Sequence, residues 1–369
     1  MAKGVLNLIV RLMERVARGD GGIVRAVALG WMALGYLTPH KVRNILLCEI
    51  EKHRRVVRPR ALPYIAILDV MNACNLRCPF CPTGNRRDSG RPLGGMDVSI
   101  VRRLLDELGD ELVCANLFNW GEPLLHPEIA GMVRMIRRRG IMTSLSTNLS
   151  LDRPEVLRQL CDARLDHVIV SVSGARQETH ERYHRGSRLE RVLANLRLLT
   201  EYKNRQGFSR PFVEVKYLVF KHNLNEIDRA AELFKEAGAD FFRHVRAGGA
   251  EEAIVDRGEA PEREYNPRFC DQLWNHVVVN ADGGVPGCCY LFFKEDDFGH
   301  VSQDRLMDLR ANDVFTTARR FFNSSATAGL PPDLRHPCLK CEMVHSQPHL
   351  RQYLAANPRA RKGHRTGGP

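Results

Sequence analysis

Between Pro63 and Val245 the chain alternates short apolar runs with amphipathic stretches. The apolar runs predict strands at Tyr64–Val70, Leu112–Phe118, Met142–Ser146, His167–Ser171, Phe212–Phe220 and Phe241–Val245. Stretches with apolar residues three and four apart predict helices at Val98–Leu108, Pro127–Arg138, Pro154–Ala163, Arg188–Tyr202 and Glu226–Ala237. Strands that alternate with helices imply an α/β fold with a parallel sheet and right-handed crossovers. Periodicity alone allows either a doubly wound sheet or a curled, barrel-like one. In a barrel-type sheet the functional site lies at the C-terminal ends of the strands.

Ahead of this region, Val5–Arg18 reads as an amphipathic helix with Asn7, Arg11, Glu14, Arg15 and Arg18 on one side. Gly19-Asp20-Gly21-Gly22 breaks it. Ile23–Leu37 is a second apolar helix with Arg25 as its only charge. It is too short to span a bilayer, and no signal-peptide cleavage site follows it. Two readings stand: a helical extension packed on the main domain, or a basic element in peripheral contact with an anionic membrane or a partner. The basic stretch Lys52–Arg60 then reads as a solvated linker.

Charge adds one distinction. The net charge is +12, but the surplus lies in the first 60 residues and in the tail from residue 351. The body between them is near neutral, so no nucleic-acid surface is indicated. Eleven cysteines without a secretory signal point to metal ligation in a reducing, cytoplasmic setting rather than to disulfides.

The cysteines fall into two groups. Cys74, Cys78 and Cys81, in the run CNLRCPFC, follow the first predicted strand as C-x3-C-x2-C. Three thiolates can hold three irons of a [4Fe–4S] cluster and leave the fourth iron open to a ligand. Further on, Cys270, Cys288, Cys338 and Cys341 supply four thiols, enough for a closed tetrahedral site. Chemistry alone leaves zinc and iron–sulfur both open there, and Cys289 is an alternative to Cys288. Cys48, Cys114 and Cys161 sit in apolar or helical contexts and read as packing residues. Lys216, in the middle of a predicted strand, is expected to point outward to solvent.

The CNLRCPFC loop, with aromatic Phe80 before the last cysteine, resembles the signature of the radical S-adenosylmethionine (SAM) superfamily. Asn119-Trp120-Gly121-Glu122-Pro123 after the second strand is similar to that family's Gly-Gly-Glu-Pro motif, with Trp120 in place of the first glycine. The later cysteines, with Asp282–Gly283 and Gly299-His300-Val301, resemble the auxiliary-cluster region of the SPASM and twitch subfamilies. No cysteine follows Cys341, which limits the region to one auxiliary cluster, closer to the twitch form.

This resemblance covers residues 62–345. It implies a partial (β/α)6 barrel over 61–250, an auxiliary-cluster domain over 251–350, a helical extension over 1–60 and a basic tail over 351–369. It implies a SAM-binding [4Fe–4S] cluster on Cys74, Cys78 and Cys81, and one auxiliary [4Fe–4S] cluster on Cys270, Cys288, Cys338 and Cys341. Phe80, Gly121, Glu122, Pro123, Asn148, Ser171 and Ser173 are implied as SAM contacts, with the Glu122 carboxylate as an acceptor for an ammonium group.

The implied activity is reductive cleavage of SAM to a 5′-deoxyadenosyl radical, which abstracts hydrogen from a substrate. The electron comes from an external donor such as flavodoxin or ferredoxin. The N-terminus lacks the strand pattern of a winged-helix peptide-binding domain, which favours a small-molecule substrate of sugar, cyclitol or lipid/glycan type over a peptide. An iron–sulfur electron carrier is the non-enzymatic alternative, but such a carrier prefers a fully ligated cluster.

Overall fold

The computed structural model describes residues 23–248, Ala253, 270–327 and 329–357. The predicted helix Val5–Arg18 and most of the basic tail lie outside the described residues.

The six predicted strands form as β1 (Ile65–Leu68), β2 (Cys114–Asn116), β3 (Met142–Thr147), β4 (His167–Val172), β5 (Phe212–Val219) and β6 (Phe241–Arg246). They pair in parallel in the order β6-β5-β4-β3-β2-β1. A seventh strand, β7 (His276–Val279), adds in parallel on the far side of β1. β6 and β7 are the two edges of an open sheet, so the architecture is a partial barrel. β7 was expected within the auxiliary region, yet it belongs to the core sheet.

The strand β2 is shorter than the apolar run Leu112–Phe118 suggests. Past Leu117 its backbone leaves the ladder, and the Trp120 N–H is drawn to the Asp69 carboxylate at 3.0 Å.

The two faces of the sheet differ in character. Ala66, Leu68, Ala115, Leu145, Val170, Val213 and Val215 are almost fully buried on one face. The helices Val98–Leu108, Ile129–Arg138, Pro154–Asp162, Leu189–Arg205 and Ile227–Glu236 cover that face with their apolar stripes. The opposite face lines the lumen and is polar. Partners in a parallel ladder share a face, and the pairs Asn116–Ser144, Ser171–Lys216 and Lys216–Arg243 run across it. Lys216 therefore faces the lumen, not solvent as expected.

Deep in the lumen a buried polar row joins four strands. The Ser144 hydroxyl meets His167 Nδ1 at 3.0 Å, and His167 Nε2 meets Glu214 at 3.0 Å. Arg243 Nε donates to the other oxygen of Glu214.

The N-terminal extension, in its described part, packs on the barrel. Helices Ile23–Leu34 and Pro39–His53 lie at the N-terminal ends of the strands. Tyr36 donates to Asp166 just before β4 at 2.6 Å, and Lys41 donates to the Gly140 carbonyl just before β3 at 2.6 Å. The helix Pro39–His53 was not predicted, although Thr38 caps it by accepting from the Lys41 N–H at 3.2 Å. The basic stretch is not a solvated linker throughout. Lys52 is buried between Glu49 at 2.7 Å and Asp271 at 2.9 Å. Among the described residues no helix is long and apolar enough to cross a membrane.

Beyond β7 the chain forms an antiparallel hairpin, β8 (Gly284–Pro286) and β9 (Asp297–His300). Arg91, on the loop that follows the first cysteine group, pins this hairpin to the barrel. Its guanidinium donates to Asp282 at 2.8 Å, to both Asp297 oxygens at 2.7 Å, and to the carbonyls of Phe292 and Phe293 at 3.3 and 3.2 Å. Gly284 leaves room for this clamp, since a Cβ there would lie 2.1 Å from Asp297. Replacing Arg91 by Met would leave buried Asp297 without its cation and Asp282 with only half-exposed Lys294, at 3.6 Å. The expected outcome is a loss of about 3 kcal/mol or more in denaturant unfolding, with an unchanged midpoint showing that the hairpin docks by other means.

Candidate active site with two thiol groups

Asp69 directly follows β1, the one acid in an otherwise apolar run, and the chain then turns into the loop of Cys74, Cys78 and Cys81. Asp69 is buried and accepts from the backbone N–H of Trp120 at 3.0 Å and of Gly121 at 3.4 Å. Burial pushes its pKa up to about 6, against those two bonds. It ties the end of β1 to the turn after β2. The Glu122 N–H donates to the Ala73 carbonyl at 2.8 Å and completes the junction.

The position of Gly121 explains the residue type. A Cβ there would lie 1.8 Å from the Met71 carbonyl oxygen and 2.7 Å from that of Ala73. Only glycine lets the two backbones meet so closely.

The Glu122 carboxylate is engaged by protein donors. The residue is 2% exposed and accepts from the Thr147 hydroxyl at 2.6 Å, the Asn148 N–H at 2.9 Å and the Leu124 N–H at 3.0 Å. It locks the end of β2 to the end of β3 and caps the short turn Pro123–Leu125, in which Pro123 is buried. Burial pushes its pKa up to about 7.

Asn148 and Ser173 likewise bond to protein groups. The Asn148 side chain donates to Asn75 at 3.0 Å and lies 3.8 Å from the Cys74 sulfur, so it steadies the thiol loop. The buried Ser173 hydroxyl donates to the His180 carbonyl at 3.1 Å and meets His184 Nδ1 at 2.7 Å. Ser171 does face the lumen, half-buried beside Lys216.

The thiol loop is walled by rings. Phe80 stacks near Tyr183 and Phe220, with centroids 6.1 Å from each, and Leu76, Cys78 and Ala247 join the same apolar group. Burial raises the pKa of all three thiols, and each stands in the field of another cysteine of the group. Backbone N–H groups already aim at the sulfurs: Leu76 at Cys74 at 3.4 Å, and Thr83 and Gly84 at Cys81. N–H donors stabilise thiolate, the ligand form. The donor set fits an iron–sulfur cluster. The buried indole N–H of Trp120, beside this loop, has no protein partner, as a donor awaiting a ligand acceptor would.

The second group also assembles. Cys338 lies in the field of Cys288, Cys270 and Cys341, and Cys288 in that of Cys289, Cys270 and Cys341. N–H groups of Gln272 and Leu273 aim at Cys270, and that of Tyr290 at Cys288. Cys289 is bonded by Gln272, which donates to its sulfur at 3.2 Å and accepts from its N–H at 2.8 Å. Among the described residues no three His, Cys, Asp or Glu side chains converge on a single ion. Thiols around the corners of a cluster stand farther apart than those around one ion.

The two groups communicate through residues 119–122. Asn119 donates to the Cys289 carbonyl at 3.3 Å, and the Trp120 ring meets Phe292 edge-on at 5.1 Å. Sequence reading missed Asp69, Asn119 and Arg91. The lone acid in an apolar strand was a usable signal for Asp69. Arg91 offered none, because its partners lie 191 and 206 positions away.

Comparison with known proteins agrees with this geometry. Residues 68–234 match the profile of the Radical SAM superfamily, and residues 270–342 that of an iron–sulfur cluster-binding domain, SPASM. The chain is 31% identical over 179 residues to the AdoMet-dependent heme synthase of Methanosarcina barkeri, covering 48% of each chain. It is 29% identical over 134 residues to the PqqA peptide cyclase of Bradyrhizobium diazoefficiens, covering 36% of this chain and 34% of that one. The aligned part spans half or less of the length of these curated relatives. Among solved structures, SuiB of Streptococcus suis bound to S-adenosylmethionine superposes with a TM-score of 0.57 at 15% identity, covering 77% of this chain and 71% of that one.

The Glu122 carboxyl gives the site a pH signature. Its pKa moves from 4.5 to about 7 on folding, so the folded chain holds an extra proton between those values. Stability from this group is full below about pH 4.5 and is lost as pH rises through about 7. Wild-type iron-free protein is therefore expected to lose stability relative to Glu122→Gln across that interval, in denaturant unfolding at stepped pH. A constant difference between the two would refute the shift.

Proposed function

The chain belongs to the radical SAM superfamily, with a SPASM-type iron–sulfur region toward its C-terminal end, and from that premise we propose that it is an enzyme that modifies a peptide. Cys74, Cys78 and Cys81 would hold the SAM-binding [4Fe–4S] cluster, and Cys270, Cys288, Cys338 and Cys341 one auxiliary [4Fe–4S] cluster. When bound, these groups supply one-electron cleavage of SAM, hydrogen abstraction from an unactivated carbon, and a second centre for an electron leaving the substrate. The observation that carries the reading is the donor count: three thiols beyond β1 leave an iron open, and four around β7, with Cys270 before it and Cys288, Cys338 and Cys341 after it, leave none.

The protein's own residues position and enclose. Gly121 brings the carbonyl-rich turn against the thiol loop, and Asp69 and Glu122 hold that turn rigid. Phe80, Tyr183 and Phe220 keep water from the sulfurs. Asn116, Ser146, Ser171 and Lys216 line the lumen with hydrogen-bonding groups suited to amide carbonyls and N–H groups. An external one-electron donor, such as flavodoxin or ferredoxin, completes the system.

The peptide class draws support from the peptide cyclase relative and from the amide-matching lumen. A small-molecule substrate is the second reading, of sugar, cyclitol or lipid/glycan type, or a tetrapyrrole of the kind the heme synthase relative suggests. It is favoured by the N-terminal region, where the described residues form helices and no strand-built peptide-binding module.

Anaerobic reconstitution tests the reading. Wild type is expected to bind about eight irons and a Cys74/Cys78/Cys81→Ala variant about four, with 5′-deoxyadenosine formed only by wild type given SAM and dithionite. Absence of SAM cleavage by the loaded, reduced wild type would overturn the enzyme reading. Loss of hydrogen mass from a peptide pool supports the peptide class, whereas modification of small molecules alone transfers the assignment to the second reading. In the auxiliary group, Cys288→Ser is expected to cost about four irons and Cys289→Ser none, by iron and sulfide assay.

A further inference from the structure

Two arginines are buried behind the second thiol group with no acid to balance them. Arg310, on the helix Leu306–Ala311, is 6% exposed, and Arg319, on the helix Asp313–Arg320, is 0% exposed. Among the described residues, neither makes an ion pair. Arg310 donates to the Trp274 carbonyl at 2.8 Å and to that of His276 at 3.0 Å. Arg319 donates to the carbonyls of Leu273 at 3.1 Å, Arg310 at 2.8 Å and Val57 at 3.4 Å. One Arg319 nitrogen, Nη2, is buried with no partner. Carbonyl bonds satisfy donors but do not neutralise a cation, and an uncompensated buried charge is strongly unfavourable.

The missing negative charge lies on the far side of the same short turn. The N–H groups of Gln272 and Leu273 aim at the Cys270 sulfur, while the carbonyls of Leu273 and Trp274 receive the arginines. The short turn of residues 272–274 thus offers N–H groups to the sulfur and carbonyls to the arginines. Burial and the neighbouring Arg310 push Arg319 down to about 8, and Cys48, Cys270 and Glu51 are the charges that oppose this. Cys48 does not supply an anion, because burial holds its thiol up at about 12. Glu51 is engaged by the N–H groups of Arg60 and Ala61.

We propose that Arg310 and Arg319 are the counter-charges of the iron–sulfur centre held by Cys270, Cys288, Cys338 and Cys341, and that they raise its potential so that it accepts an electron readily. This rests on the iron–sulfur reading of that group. A [4Fe–4S] centre with four thiolates carries a net negative charge, and one added electron makes it more negative by one. A fixed buried cation stabilises the reduced form more than the oxidised form.

The test is a mediated redox titration of reconstituted protein, followed by electron paramagnetic resonance, with dithionite as reductant. The Cys74/Cys78/Cys81→Ala background isolates the auxiliary centre. Arg319→Gln and Arg310→Gln are each expected to disfavour reduction about tenfold, about 59 mV for one electron. The two arginines sit on separate helices, so one variant suffices if the other fails to fold. Full iron content with an unchanged potential in the Gln variants would overturn the proposal. Zinc in place of iron at the four thiols would overturn the iron–sulfur reading itself, and the iron assay separates the two failures.

Discussion

At position 121 a single methyl group would stand 1.8 Å from a neighbouring carbonyl oxygen, and much of the site depends on that close approach. It lets the turn after β2 lie directly on the loop after β1. Asp69 then reaches the N–H groups of Trp120 and Gly121, and the Glu122 N–H reaches Ala73. Once the turn is seated, the Glu122 carboxylate gathers Thr147 and Asn148, and Asn148 returns to the thiol loop. Three strand ends are thereby closed into one ring of contacts beneath the sulfurs. The acids at its centre are held in place by burial and backbone donors, so their work is architectural.

Around this ring the sheet divides its labour by face. The outer face, of Ala, Leu and Val, carries the hydrophobic stabilisation through the helices packed on it. The inner face tolerates half-buried Asn, Ser and Lys because it borders a lumen rather than a core. Its deepest polar residues are satisfied among themselves in the row from Ser144 to Arg243. That row leaves the upper lumen, nearer the thiols, as the place where polar side chains remain turned inward. The N-terminal helices close the opposite end through Tyr36 and Lys41.

Much of this was legible in the chain. The apolar runs placed six strands to within a few residues, and the spacing of Cys74, Cys78 and Cys81 marked the strand end that matters. Cys270, Cys288, Cys338 and Cys341 could be grouped before any fold was known. What escaped was the direction of side chains. Glu122, Asn148 and Ser173 are the right residue types at strand ends, but their partners are protein atoms, which spacing cannot reveal. Lys216 faced inward because register, not composition, decides the side of a strand. β7 falls in the span expected for the auxiliary region, but its partner β1 lies some 210 positions earlier, beyond the reach of local pattern. Lys52 looked like part of a solvated basic run until Glu49 and Asp271 enclosed it.

Arg91 stands ten positions after Cys81 and grips Asp282 and Asp297, on the hairpin that leads to and from Cys288. The two thiol groups are thus parts of one mechanical body. A ligand that orders the first loop also steadies the frame of the second group, and the converse holds by linkage.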